Sequence, residues 1–245
     1  MSASSDARFP STRHSLLRAL GSDDAATRRA ALDALLAVYW RPVYARYRVK
    51  WAALPADAED MTQEFFSRAL DDGSLERYDP SRARFRTYLR TCADRFAANV
   101  VRDRTRLKRG GGVVLVPIET AELERELASG DEGGRDDPDA WFEWEWVRGV
   151  FADAVDRLRE DTAGTPRAIR VTLLERYDLE PRREEDRPSY QALATEFALP
   201  VTQVTNHLAW ARRELRRLVL ERLRSLAGSD AEYEEDVRAV LGARQ

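Results

Sequence analysis

The sequence predicts an all-α protein with two helical domains joined by a flexible acidic linker. Apolar residues recur every three or four positions along most of the chain, which is the period of amphipathic helices. The only short apolar run typical of a strand, VVLVPI, has no partner strand. With 245 residues, the chain has room for two small domains. We predict domains at 9–109 and 138–226, a linker at 110–137 and a C-terminal extension at 227–245.

Helices account for most of the first predicted domain. An apolar stripe predicts a helix over 25–50, with Pro42 as a break or kink. The segment DAEDMTQEFFSRAL predicts a second helix, capped by Asp57, with an acidic and amide-bearing face beside its buried stripe. A third helix follows in FRTYLRTCADRFAANVVRDRTRLKRGGG and ends at the glycines. Its apolar stripe sends the arginines to the other sides, where we expect them free of internal ion pairs.

The second predicted domain begins near Asp139 with an aromatic helix, WFEWEWVRGVF. The spacing puts Trp144 on its apolar stripe, which Trp141 and Trp146 widen. Further along, SYQALATEFALPVTQVTNHLAWARRELRRL has the spacing of a helix-turn-helix, with Ala198-Leu199-Pro200 as the turn. An ordinary helical hairpin with solvated arginines gives the same spacing.

In a helix-turn-helix, the second helix lies in the DNA major groove. The polar side chains beside its buried stripe would then reach base edges, and the arginines that follow would reach phosphates. The candidates for base contacts are Thr202, Gln203, Thr205, Asn206 and His207, and those for phosphates are Arg212, Arg213 and Arg216.

The charges are strongly segregated although the net charge is only -3. Residues 82–109 carry a local charge of +8, residues 119–145 one of -9, and residues 200–224 one of +4. Each basic block acts locally because salt screens charges over about 8 to 10 Å. Two separate polyanion-binding surfaces are therefore predicted. In the first block, Tyr78 and Tyr88 accompany the arginines and are candidates for stacking on unpaired bases.

The composition excludes other classes of protein. One cysteine allows no internal disulfide, and two histidines beside it are too few for a Cys/His zinc site. The acids of DAEDMTQE could be mistaken for metal ligands, but they have no convergent partner. We therefore expect no catalytic residues, no metal and no cofactor. No stretch reaches the ~18 apolar residues of a membrane helix, and the N-terminus lacks a signal-peptide run, so we expect a cytoplasmic protein without a membrane partner.

Taken together, these segments resemble the sigma factors of bacterial RNA polymerase, in the extracytoplasmic-function class and closest to a branch common in planctomycetes. DAEDMTQEFFSRAL resembles region 2.2, DPSRARFRTYLRTCADRFAANVVRDRTRLKRGGG resembles regions 2.3 and 2.4, and the helix-turn-helix resembles region 4.2. The opening FPSTRHSLL, the segment WFEWEWV and the tail EYEEDVRAVLG also fit that branch.

The resemblance implies two partners: core RNA polymerase, through the β' clamp and the β flap, and promoter DNA. An anti-sigma factor is the family's common regulator. The implied polymerase contacts are Asp57, Asp60, Gln63 and Glu64. The minus 10 contacts are Tyr78, Arg82, Arg84, Arg86, Tyr88, Arg90, Arg95, Asn99 and Arg102, and the helix-turn-helix residues above would read the minus 35 element.

Two departures from the family pattern stand out. Many relatives have Arg-Asn where this chain has Asp94-Arg95, and basic residues where it has Thr205, Asn206 and His207. We expect weaker minus 35 binding or an unusual preferred sequence. The leading hypothesis is a non-enzymatic sigma factor that directs promoter recognition, DNA melting and transcription initiation; the alternative is a free-standing helix-turn-helix regulator. The tail from Ser225 to Gln245, with five acids and two arginines, fits a regulatory extension or a terminal helix.

Overall fold

The computed structural model describes residues 15–75, 77–104, 123–124, 137–181 and 183–242. The all-α prediction is confirmed, since the regular structure within these ranges is helical throughout. The α-helices are α1 Ser15–Leu20, α2 Ala25–Val49, α3 Pro55–Asp71, α4 Phe85–Arg104, α5 Pro138–Thr162, α6 Ala168–Leu174, α7 Tyr190–Glu196, α8 Val201–Leu226 and α9 Asp230–Leu241. A π-helical turn, Glu175–Leu179, follows α6, and a 3-10 turn covers Glu184–Asp186.

The chain divides into two compact units. The first comprises residues 1–149 together with 223–245, and the second comprises 150–222. The first unit therefore includes the beginning of α5 and all of α9. The predicted domain limits differ: they assign the beginning of α5 to the second domain and α9 to a separate C-terminal extension.

Aromatic side chains form the core of the first unit. Tyr39 of α2 meets Phe85 of α4 edge to face, with ring centroids 5.5 Å apart. Trp40 stacks on Phe66 of α3 at 6.1 Å, and all four side chains are buried. Such pairs add to the large apolar area that each ring buries. The three helices α2, α3 and α4 are thus held together by an aromatic cluster.

One prediction about helix ends in this unit is wrong, and another is wrong in part. Helix α2 does not break at Pro42, one of the two alternatives predicted for that residue, but continues to Val49 with the buried proline inside it. Helix α3 is not capped by Asp57: Leu54 is its N-cap and Pro55 its first residue. Proline is favoured there because the first helical N–H has no partner within the helix. Asp57 lies in the first turn, where its negative charge suits the helix dipole.

The beginning of α5 packs differently from the predicted stripe. Trp141 and Trp146 are buried, whereas Trp144 is 39% exposed, so its predicted place on the buried stripe is wrong. Gly149 lies so close to α2 that an added Cβ would be 2.7 Å from the carbonyl oxygen of Val38. Only glycine permits this close approach of the two helix backbones.

The second unit contains the two helices of the predicted helix-turn-helix. Ser189 caps α7 by accepting a hydrogen bond from the backbone N–H of Ala192. The turn into α8 passes through Ala198, whose φ is +52°. The side chains that join the two helices are Leu193 and Ala194 of α7 with Val204 and Leu208 of α8, packed with Leu173 of α6. The predicted helix-turn-helix spacing is confirmed.

The predicted linker, the first fourteen residues and the predicted helix end at 110–112 lie almost entirely outside the described residues. The exceptions within the linker are Leu123, Glu124 and Asp137. Leu123 is buried, and Glu124 accepts hydrogen bonds from Tyr44 at 2.7 Å and from Arg48 at 2.6 Å. Leu123 is thus buried and Glu124 is bound to α2, contrary to the prediction of a flexible segment throughout.

Among the described helices, none combines the length and the apolar character needed to cross a bilayer. Within the same ranges, no three or more His, Cys, Asp or Glu side chains form a group that could hold a metal ion.

Candidate nucleic-acid and polymerase interfaces

Helix α3 presents the acidic and amide-bearing face that the sequence predicts. Its buried side contains Met61, Phe65 and Ala69, as predicted. The four candidate polymerase contacts lie on the remaining surface: Asp60 and Glu64 are exposed, and Asp57 and Gln63 are partly exposed. Glu64 pairs with Arg68 one turn later on the same helix. An exposed pair of this kind contributes little to stability and is easily rearranged.

Four candidate minus 10 contacts are exposed. Arg95, Asn99 and Arg102 lie along the second half of α4, where Arg102 donates a hydrogen bond to Asn99 at 3.2 Å. Arg82 lies in the preceding loop and pairs with Asp79 at 3.2 Å, with 85% of its side chain exposed. These side chains can meet a large ligand without rearrangement of the core.

The first half of α4 is different. Arg86 is only 4% exposed, because Asp236 of α9 and Glu143 of α5 pair with it from outside the helix. Its guanidinium also lies over the ring of Trp146, 4.4 Å from the centroid. Burial opposes the charged form of Arg86, but the two carboxylates outweigh that effect and raise its pKa. The prediction that every arginine of this helix projects into solvent is wrong at Arg86.

Two further arginines of this region are also engaged. Arg84 pairs with Glu235 of α9, and Arg90 pairs with Asp139 of α5 at 3.3 Å. The expectation that these arginines are free of internal ion pairs is therefore wrong for Arg84, Arg86 and Arg90. The acids responsible lie about 50 and about 150 residues away in sequence, so helical periodicity contains no information about them.

The two candidate stacking tyrosines are partly buried and bonded to the protein. The Tyr78 hydroxyl donates to Glu232 at 3.2 Å, and the Tyr78 ring meets Phe85 edge to face at 5.2 Å. Burial and the nearby Glu232 carboxylate raise the pKa of Tyr78. The Tyr88 hydroxyl donates to the carbonyl oxygen of Ser74 at 2.6 Å. Both tyrosines would therefore have to give up protein contacts to stack on a base.

Asp94, one of the departures from the family pattern, joins α4 to α2. It accepts hydrogen bonds from Arg46 at 2.7 Å, from Lys50 at 2.6 Å and from the indole of Trp51 at 3.2 Å. Burial alone would raise the pKa of Asp94, but these donors lower it to about 2. Arg46 is itself buried and also pairs with Asp139 at 2.7 Å. An asparagine at position 94 could not provide this charge.

The recognition helix α8 presents its polar side chains as predicted. Val204, Leu208 and Ala211 are buried, whereas Thr202, Gln203 and Asn206 are exposed. Thr205 and His207 are partly exposed; Thr205 donates to the carbonyl oxygen of Thr202 at 3.0 Å. Burial, with the positive charge of Arg170, lowers the pKa of His207.

The arginines that follow on α8 fall into two groups. Arg212 forms two hydrogen bonds to Asp178, at 2.8 and 2.9 Å, and lies over the ring of Tyr177. Arg213 and Arg216 are exposed. Arg213 and Arg216 are therefore the better placed of the three candidates for phosphate contacts.

Residues 36–107 match the protein family described as Sigma-70 region 2. The match supports the assignment of this chain as a sigma factor of the sigma-70 family. The matched segment begins within α2 and includes all of α3 and α4, so it contains the acidic face and both halves of the basic helix. It covers less than a third of the chain. No curated protein matches the chain.

The sequence predictions missed the acids that engage the basic helix. They are Asp139 and Glu143 of α5 and Glu232, Glu235 and Asp236 of α9, and all five lie outside the region 2 match. One signal was present: Ser229-x-x-Glu232 is a capping box, which marks the start of a helix. It could have located α9, although not the surface on which α9 lies.

Proposed function

We propose that this chain is an extracytoplasmic-function sigma factor, which binds core RNA polymerase and directs promoter recognition, DNA melting and transcription initiation. One observation carries the proposal: a region 2 match and a helix-turn-helix with an exposed polar face occur in the same chain. A sigma factor needs two unlike DNA-binding modules because it contacts two unlike promoter elements. In this role the chain binds polymerase and DNA and catalyses no reaction itself. It would act in the cytoplasm, where polymerase acts.

In region 2, the α3 face of Asp57, Asp60, Gln63 and Glu64 would dock on the β' clamp. Two observations support this role: the side chains lie off the buried stripe, and the helix falls within the region 2 match. Helix α4 and the loop before it would engage the minus 10 element. Arg82, Arg95, Asn99 and Arg102 have exposed side chains, whereas Tyr78, Arg84, Arg86, Tyr88 and Arg90 are partly or fully buried and would have to exchange protein partners for DNA.

In the second domain, α8 would lie in the major groove of the minus 35 element. Gln203 and Asn206 can each pair with adenine through a donor and an acceptor, and Thr202 can serve a base or a phosphate. Arg213 and Arg216 would contact phosphates, with Thr205, His207 and Arg212 at the edge of the interface. The β flap would bind this domain, and an anti-sigma factor would compete with polymerase for the chain.

Reconstitution with bacterial core polymerase tests the proposal. We expect the chain to co-purify with core polymerase, to support promoter-dependent transcription, and to give a footprint over two unlike elements. A footprint over palindromic half-sites about one helical turn apart, without polymerase, would indicate a dimeric operator-binding regulator instead.

The assignment of faces has its own test. Asp60→Asn combined with Gln63→Ala should weaken binding to core polymerase by about tenfold, the effect of losing a few polar contacts at an interface, and leave minus 35 binding unchanged. Arg213→Ala should weaken binding to the minus 35 element and leave binding to core polymerase unchanged. Equal losses of both activities in both variants would contradict the assignment.

A further inference from the structure

We propose that helix α9 is an autoinhibitory segment that occupies the minus 10 surface of region 2 in place of DNA. The inference rests on the proposed function, because it concerns the same basic helix. It starts from one observation. The acids of α9 form ion pairs and hydrogen bonds with the candidate DNA-binding residues at and just before the beginning of α4, while the candidates further along α4 are exposed.

The ion pairs show how α9 replaces a nucleic acid. Asp236 pairs with Arg86, with 3% and 5% of their side chains exposed, and Glu235 pairs with Arg84. A carboxylate and a phosphate offer an arginine the same thing: negative charge and two oxygen acceptors in one plane. While α9 is in place, the guanidinium nitrogens that form these two pairs are occupied by carboxylates instead of a phosphate.

Glu232 engages the remaining groups at the beginning of α4. Its buried carboxylate accepts from the Tyr78 hydroxyl at 3.2 Å, from the backbone N–H of Phe85 at 2.9 Å and from that of Gly228 at 2.7 Å. The Phe85 N–H is one of the unpaired donors at a helix N-terminus, a position that favours an anion. Glu232 therefore fills an anion position next to a tyrosine that was predicted to stack on a base.

The residues that connect α8 to α9 also contact region 2. Ser229 caps the helix by accepting from the backbone N–H of Glu232, one residue after Gly228. A Cβ added to Gly228 would collide with the hydroxyl and ring of Tyr78, so glycine fits there without a shift of that side chain or of the segment. The tail is thus fitted to region 2 by shape as well as by charge.

The cover is selective. It buries Arg86 and pairs with Tyr78 and with the partly exposed Arg84, whereas Arg95 and Asn99, two to four turns further along α4, remain exposed. Helix α9 also lies outside the segment that matches Sigma-70 region 2. We infer that the tail is an addition to the region 2 domain that blocks the engagement of unpaired bases until it is displaced.

Single substitutions in the full-length chain test this. The probe is a fluorescein-labelled single-stranded DNA of mixed sequence, and the measurement is its dissociation constant, with far-UV circular dichroism to verify folding. Asp236→Asn should bind the DNA about tenfold more tightly, as expected if the open state is about 10% populated in the unmodified chain. Glu234→Gln removes a charge from the same helix at an exposed position, and it should change the affinity less than twofold.

A second variant disturbs the connection to α9 without changing its charge. Gly228→Ala introduces the collision with Tyr78, and it should also tighten DNA binding several-fold. If Asp236→Asn tightened binding but Gly228→Ala did not, the effect would come from the local loss of the pair with Arg86 rather than from the release of α9, and the inference would fall.

Binding of each variant to core polymerase distinguishes a failure of this inference from a failure of the proposed function. If every variant bound DNA like the unmodified chain while still supporting transcription with core polymerase, autoinhibition would be overturned and the sigma-factor function would stand. If no form bound core polymerase, the proposed function itself would fail, and the inference with it.

Discussion

The arginines in the first half of α4 and the arginines at positions 213 and 216 of α8 lie in different environments. In the first half of α4, Arg86 is buried between two carboxylates and an indole ring. On α8, Arg213 and Arg216 are exposed. The difference comes from the elements that pack around each helix, since acids of α5 and α9 meet α4 in the first unit. An arginine-rich helix is therefore a binding surface only where its neighbours leave it uncovered.

The largest expected effect distinguishes a structural arginine from a surface one. Arg86→Ala should lower the free energy of unfolding by about 3 to 5 kcal/mol, because it leaves the buried Asp236 carboxylate without this partner. Arg213→Ala should change it by less than about 0.5 kcal/mol. Urea denaturation followed by circular dichroism measures both. Similar stability of the two variants would remove the distinction between the helices.

Asp94 provides a pH-dependent test of the ion pairs around α4. Its folded-state pKa of about 2 is below the ordinary value of 3.8, so it stabilises the fold above about pH 4 and loses that contribution as the pH falls towards 2. Asp94→Asn should lower the free energy of unfolding by about 2 kcal/mol at pH 7 and have almost no effect near pH 2. Asp103→Asn, at an exposed position on the same helix, is the control. A pH-independent difference would indicate that the charge of Asp94 is unimportant.

Substitutions of the exposed polar residues of α8 should affect DNA binding rather than folding. Asn206→Ala should weaken binding to the minus 35 element by about tenfold, because a two-point contact to a base contributes roughly 1 to 3 kcal/mol. Its stability should be unchanged, since the side chain is exposed. Thr172→Ala on α6 is the control. Titration of a mapped promoter fragment measures the effect, and unaltered affinity would remove Asn206 from the interface.

The smallest expected effect compares two neighbouring arginines on α8. Arg213→Ala should reduce the slope of log affinity against log salt by about one, the value for one lost phosphate contact. Arg212→Ala should reduce it less, because its guanidinium already pairs with Asp178. The measurement is promoter binding at four or more salt concentrations. A larger change for Arg212 than for Arg213 would reverse their assignment.

Much of the fold could be predicted from local patterns, and the exceptions have physical causes. The stripes of α3 and α8 follow from the three-four spacing of residues such as Phe65 and Leu208, which a single helix determines. The buried side of α5 does not: with three tryptophans within six positions, periodicity alone could not decide that Trp146 points inwards and Trp144 outwards. The helix start at Pro55 was missed because a polar cap residue two positions later competed with the proline signal.

The sequence by itself determined the helical class, the helix-turn-helix and the polar residues that it exposes, because these depend on residues within one or two turns of one another. Tertiary structure alone decided which arginines are free. Arg86 and Asp236 are 150 positions apart, and only the packing of α9 on α4 brings them together. Burial then turns that encounter into a desolvated ion pair, so an apparent DNA contact becomes an internal one.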